Sequence, residues 1–467
     1  MSVPKSLATA AAAAALLAGC ATGPDYKAPA TTAGAGGFVS AAVAPVDPAE
    51  PPADWWRLYQ EPALDRLVGE ALANNRDVAV AAANLAQVRA ALSEARVGRL
   101  PATTVTGAAA RSRQPNPATG QAVEADTVSA GLDVSYELDF FGRVTRSIEA
   151  ARADRDAAQA ALDVVRVSVA AETTRAYADA CAAGAQLEVA QRTLSLSQET
   201  AELTRRQLQA GRGTGLDVAR AQAQAETARA AAPPLQAQRD AALFRLSVLV
   251  GRPPAEVSPE AAACARAPRI STAIPVGDGA ALLRRRPDVR QAERRLAAAT
   301  ARIGVATASL YPTVSLGGSV ATVGGGGQDL GDDVQFSLGP LMSWSFPNIA
   351  AARARIAQAD AAAQGALAAF EQTTLTALQE TETALSAYGR ELDRRMALTR
   401  ARDESAQAVR LARLRQSAGV DSFLTVLDAE RTLAGLEAQL AASDAAVTSN
   451  QVTLMKALGG GWQAAGS

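Results

Sequence analysis

The chain is written twice. Shifted by 211 residues, Asp77 falls on Asp288, Val78 on Val289, Leu85 on Leu296, Pro101 on Pro312 and Tyr177 on Tyr388. At a shift of 208, Gly211 falls on Gly419, Leu216 on Leu424, Val218 on Val426, Leu246 on Leu454 and Gly251 on Gly459. A duplication constrains the fold more than any local motif, because whatever one copy builds the other must build again. The joint is a proline-containing segment around residues 252–277.

Each copy reads as helix, strand, loop, strand, very long helix, tight turn, helix. In the first copy the opening helix is expected over 64–99, with Pro101 marking its end. A strand follows at 103–112, then the polar, turn-rich "RQPNPATGQ". From 127 to 140 every even position is apolar (Val128, Ala130, Leu132, Val134, Tyr136, Leu138, Phe140) and every odd one is polar or glycine. Strict alternation is the period of a strand with one greasy and one wet face. The second copy repeats this at 313–323 and 334–346 around "GGGGQDLGDD". Pro340 cannot donate a ladder hydrogen bond, so it is expected at a bulge or an edge. After each second strand the period changes to that of a helix, over 144–209 and 350–417, with no proline in the first. At ~1.5 Å per residue such a helix extends ~100 Å, a rod that a globular domain rarely holds.

Strands of this length suit a tilted bilayer crossing, but four of them leave open edges that lipid does not tolerate. If they lie in a membrane, copies must associate. A dimer makes an eight-stranded barrel normally filled by side chains; a trimer makes twelve strands, wide enough for a lumen lined by the odd-numbered polar face. The competing reading is a soluble sheet with one solvated face.

Chemistry is scarce. There is no histidine, which removes the commonest general base and the commonest transition-metal ligand. No nucleophile–base pair, metal-ligand spacing or cofactor motif stands out, so no catalytic, metal or cofactor residue is assigned. With 46 basic against 47 acidic residues, nothing points to nucleic acid. The start, "MSVPKSLATAAAAALLAGC", has the layout of a secretory signal over residues 1–19. Its end, Leu17-Ala18-Gly19-Cys20, resembles the bacterial lipobox, in which the cysteine becomes the lipidated first residue. Cys181 and Cys264 could pair in an oxidising compartment. The reading as two small buried apolar residues is favoured here, because Cys181 lies well inside a helical pattern.

Several longer motifs carry a resemblance: "CATGPDY", "WWRLYQEPALDRLVGEAL", "YELDFFGR", "LLRRRPDVRQAERRLAAATARIGVATASLYPTVSL", "AGVDSFLTVLDAERTL" and "LMKALGGGW". Over nearly the whole mature chain the sequence resembles the TolC-like outer-membrane channels of tripartite efflux systems, and most closely their OprM-like lipoprotein branch, the NodT family. The resemblance implies a mainly α protein with membrane β: a homotrimer with a twelve-stranded outer-membrane β-barrel continuous with a twelve-helix periplasmic α-barrel. It implies a lipid-anchored segment at 20–60, efflux repeats at 61–251 and 278–460, an inter-repeat linker at 252–277 in an equatorial belt, and a tail at 461–467. Implied partners are outer-membrane lipid, a periplasmic adaptor protein and an inner-membrane pump of the resistance-nodulation-division class.

Function then concentrates at the hairpin tips, "QAGRGTGLDV" and "SAGVDSFLTV". Gly211, Leu216, Val218, Gly419 and Val426 are the expected adaptor-docking residues. Leu424, Asp428 and Arg431 match the positions that close the tunnel in the OprM-like branch. Asp428 and Arg431 are three apart and share a helix face. The first copy has Arg220 and Ala223 at the equivalent places, so closure is expected to be asymmetric, with the second-copy hairpins moving inward. Protein secretion of the type I kind and metal-ion efflux are alternative duties for such a channel, although four methionines and no histidine argue against soft-metal handling. An anchored enzyme and a poreless coiled-coil lipoprotein are rivals from other classes.

Overall fold

The computed structural model describes residues 21–30, 36–115, 120–325, 331, 334–347 and 349–461. The signal segment, Cys20 and most of the 326–333 loop lie outside the described residues. The helices are α1 (Pro62–Asn74), α2 (Arg76–Val97), α3 (Arg143–Gln209), α4 (Gly215–Leu249), α5 (Pro259–Ala263), α6 (Gly279–Arg285), α7 (Pro287–Ala308), α8 (Ile349–Ser417) and α9 (Phe423–Ala457). The strands are β1 (Val46–Asp47), β2 (Ala102–Pro115), β3 (Ala122–Leu138), β4 (Ile274–Pro275), β5 (Thr313–Gly325) and β6 (Val334–Ser343). Two compact units alternate along the chain.

The first unit gathers the described parts of 1–29, 84–159 and 291–371. Its centre is one antiparallel sheet in the order β2-β3-β5-β6. The register aligns the two faces across all four strands. One row reads Val105, Leu132, Val320, Phe336, and the row beside it on the other face reads Thr104, Asp133, Ser319, Ser337. The apolar row is not a core: Val105 is 81% and Phe336 80% exposed. Pro340 sits opposite Leu316 in unbroken register on β6, the edge strand of a single copy, with no bulge beside it. β3 stops at Leu138, two residues short of the expected end. Asp139 turns back to cap α3, its carboxylate accepting from the backbone N–H of Val144 (2.9 Å) and Thr145 (2.7 Å). Phe141, in the same turn, stacks on Tyr311 with centroids 4.5 Å apart.

A short N-terminal stretch docks at this turn. The backbone N–H of Thr22 donates to Phe141 O at 3.2 Å. The guanidinium of Arg146, 5% exposed, donates to Thr22 O and Gly23 O and pairs with Asp25 and Glu149 at 2.7 and 2.8 Å. Gly23 passes so close to Gly304 that a side chain on either would collide with the other's neighbourhood, the nearest approach being 2.5 Å. The Gly304→Val variant is therefore expected to expel this stretch and to speed tryptic cleavage after Lys27 by about tenfold, the change in equilibrium that ~1.4 kcal/mol of lost docking produces. Unchanged cleavage, read by mass spectrometry, would mean the stretch is held elsewhere.

The second unit gathers the described parts of 30–83, 160–290 and 372–467. The duplication reappears here as chemistry. Asn75 donates from Nδ2 to Leu249 O (3.0 Å) at the end of α4, and Arg286 donates from Nη1 to Ala457 O (2.9 Å) at the end of α9. Each helix is then closed by a left-handed glycine, Gly251 (φ +80°) and Gly459 (φ +68°). Asn75 also splits the single helix expected over 64–99: it leaves α1 in extended backbone and its Oδ1 caps Asp77 N–H at 2.9 Å, which starts α2. α4 continues through Pro233 and Pro234, which costs it two helical hydrogen bonds.

The inter-repeat segment is pinned at both ends. Cys181 of α3 and Cys264 form a disulfide, with Cα atoms 4.9 Å apart, which overturns the expectation of two unpaired apolar residues. Arg239 of α4 donates to Ala262 O beside it. Further on, Ile270 exchanges two hydrogen bonds with the fully buried Gln451 of α9 (3.2 and 3.0 Å), and β4 pairs in parallel with β1.

Candidate functional site

The first hairpin tip joins α3 to α4. Gly211 takes φ +72°, and Arg212 N–H returns to Gln207 O at 2.8 Å, closing the helix. Thr214 and Asp217 then form a reciprocal capping box that restarts the chain as α4. The second tip joins α8 to α9 with the same geometry: Gly419 at φ +73° and Val420 N–H to Arg415 O at 2.9 Å. Across it Arg415 holds Asp421 in a two-point pair at 2.7 and 3.0 Å. That hydrogen bond keeps the Asp421 carboxyl below the usual carboxylate range. The clasp is complete at neutral pH and is lost as acid protonates Asp421.

The paired residues just past each turn separate into two roles. Leu216 and Leu424 stand exposed, while Val218 is half-buried and Val426 is buried. The leucines are thus presented outward and the valines pack the tip. Other apolar side chains around the turns, among them Leu208, Leu414 and Val420, are exposed as well.

Asp428 and Arg431 share a face of α9, as their spacing predicts, and lie 3.6 Å apart with side chains 70% and 69% exposed. Within one chain such an exposed pair contributes little. The structure adds a residue that sequence reading missed. Glu430, 19% exposed, receives two hydrogen bonds from Arg413 of α8 (2.9 and 2.7 Å) and one from Thr200 of α3 (3.3 Å). It ties α9 to the neighbouring helix of its own hairpin and to the first-copy hairpin. The first copy has the uncharged Gln222 in its place, the one signal that set Glu430 apart.

No helix of the described residues is long and apolar enough to cross a membrane, while the sheet exposes an apolar row through Val105, Leu132, Val320 and Phe336. Residues 67–252 and 280–460 match the model of the outer membrane efflux protein family, one match for each copy. The chain belongs to the outer membrane efflux protein family. This family member is 31% identical over 432 residues to Nodulation protein T of Rhizobium leguminosarum bv. trifolii, covering 91% of each chain. It is 32% identical to the antibiotic efflux pump outer membrane protein ArpC of Pseudomonas putida, over 98% of this chain and 96% of that one. The solved outer-membrane channel OprN superposes with a TM-score of 0.90 at 37% identity, over 95% of this chain and all of that one. This efflux protein is accordingly an outer-membrane transport protein.

Proposed function

We propose that this outer-membrane efflux protein works as a homotrimeric exit duct of a tripartite pump of the resistance-nodulation-division class. It passes small molecules outward passively, with energy supplied by an inner-membrane pump reached through a periplasmic adaptor. The observation that carries the reading is the sheet. Its outer edges β2 and β6 run in opposite directions, so β6 of one copy meets β2 of the next as an antiparallel neighbour. Three copies joined in this way close a twelve-stranded barrel and leave no edge in lipid. The row through Val105, Leu132, Val320 and Phe336 then faces hydrocarbon, and the row through Thr104, Asp133, Ser319 and Ser337 faces the lumen. The long helices α3 and α8, with α4 and α9, supply four helices per copy to a twelve-helix tunnel. Cys20, acylated, anchors the N-terminal segment, and the exposed leucines Leu216 and Leu424 beside Gly211 and Gly419 meet the adaptor.

The test uses the two faces against each other. Phe336→Arg places a charge near the middle of the lipid face, at a cost of ~2–4 kcal/mol per copy. It is expected to cut the yield of heat-modifiable trimer in vesicles by tenfold or more. Ser337→Arg, one residue along, is expected to fold normally and to change ion selectivity in planar bilayers. Equal damage from both would contradict the assignment of faces. A well-folded protein that never forms a trimer would sink the duct itself.

A further inference from the structure

The sheet continues beyond its apolar wall. On the face that carries Val105 and Leu132, the apolar wall runs as far as Ala109 opposite Val128, and toward the loop only the terminal pair Pro115 opposite Ala122 is apolar again. Between them stand Arg111 opposite Asp126 and Arg113 opposite Glu124. At the same height the other face carries Ala110 opposite Thr127, Ser112 opposite Ala125 and Gln114 opposite Val123. All four charges of this hairpin end therefore lie on one face, and it is the apolar one. Cross-strand charge pairs steady a hairpin end in water by only ~0.2–1 kcal/mol each, and nothing in that requires the face that carries them to be the apolar one.

Height gives the segregation a meaning. From Val128 to Leu138 the apolar side of β3 climbs along a strand rising ~3.3 Å per residue, so a tilt of ~40° gives a band ~25 Å tall. That is the hydrocarbon thickness facing an outer-membrane barrel. Aromatic rings gather past its far end, in the Phe141–Tyr311 stack and the Trp344–Phe346 pair. The charged rows stand one step past its near end, at the level of lipid headgroups.

Both arginines keep donors to spare. Each guanidinium has five N–H groups. Among the described residues Arg111 contacts Glu124 at 3.0 Å and Asp126 at 3.8 Å, and Arg113 contacts the same Glu124 at 3.8 Å. Their side chains remain 70% exposed. A planar fork on the lipid side, at headgroup depth, matches a phosphate geometrically and electrostatically. The loop side of the barrel is the cell exterior, where the leaflet is built of phosphorylated glycolipid of the lipid A type. We propose that Arg111 and Arg113 bind the phosphate of that glycolipid, holding one lipid against the β2–β3 hairpin of each copy, with Glu124 as the competitor the phosphate displaces. This rests on the barrel reading above.

Signs separate this from a cross-strand ion pair that merely stiffens the hairpin. The full-length protein is reconstituted with lipid A or with its dephosphorylated form, and retained lipid is counted by native mass spectrometry. Wild type is expected to retain the phosphorylated form at least tenfold better, and Arg111→Gln/Arg113→Gln to lose that preference. Glu124→Gln is expected to raise retention, whereas a stiffening role makes it as harmful as the arginine changes. Equal retention of both lipids by wild type, an unchanged preference in the double variant, or a fall in Glu124→Gln would each overturn the proposal. Quenching of Trp344 fluorescence by brominated lipid, absent in Trp344→Phe, checks the barrel separately. Quenching without phosphate preference removes only the lipid site, and no quenching removes the barrel reading and the site with it.

Discussion

Asp428→Ala is expected to turn a channel that conducts weakly in planar bilayers into one that conducts several-fold better. In a single chain the change should be nearly silent, because Asp428 and Arg431 are exposed and meet only within one turn of α9 at 3.6 Å. Any large effect must come from contacts that exist only in the trimer, where three copies of α9 bring the pair around one axis. If each of three such contacts contributes about 1 kcal/mol, losing them together shifts the closed-to-open ratio by about a hundredfold. Glu430→Ala tests the other half of the gate. Glu430 bonds Arg413 of the same hairpin and Thr200 of the other hairpin, so it should set how easily α9 moves away from α3. The expected pattern is a higher conductance in both variants, with an unchanged melting temperature only in Asp428→Ala. A wild type that conducts freely and ignores Asp428→Ala would leave a duct with no gate at this position.

The elements that repeat were legible in the sequence, and those set by a distant partner were not. The long helices announce themselves through unbroken helical spacing, and the strands through strict alternation, so α3 and α8 match their expected bounds within a residue. Gly211 and Gly419 do what paired glycines at helix ends do. Asn75 had a local signal, an asparagine placed to cap Asp77, but helical spacing runs straight through it, and the bond to Leu249 that fixes it lies 174 residues away. Glu430 was missed because Thr200 and Arg413 come near it only once α3, α8 and α9 stand together. Asp428 and Arg431 could be paired from spacing because an i,i+3 contact is local. Sequence also could not divide Leu424 from Val426. Both are apolar and two apart in a helix, and only packing decides which is shown and which is hidden.

Reduction of the Cys181–Cys264 bond is expected to be the most damaging single chemical change available to this protein outside the membrane. The bond joins residues 83 apart, and the loop it closes contains the far end of α3, the first tip and all of α4. Chain-entropy arithmetic for a loop of that size gives ~4–5 kcal/mol. Neither end of the bond is otherwise loosely held: Cys181 is fully buried, and Gly184 one turn on lies so near Cys264 O that a side chain there would come within 2.7 Å. The Cys181→Ser/Cys264→Ser protein should therefore unfold at a urea midpoint lower by ~1 M or more, followed by far-UV circular dichroism, and wild type should fall to the same midpoint in reductant. The bond also discriminates between the two hairpins. It fixes the inter-repeat segment covalently to the first, while the second is held by hydrogen bonds through Gln451. If the second-copy hairpin is the one that moves, breaking the disulfide should destabilise the protein without opening it, leaving conductance near wild type. A reduced channel that opens as Asp428→Ala does would show instead that the first hairpin moves as well, and the asymmetric gate would have to be abandoned.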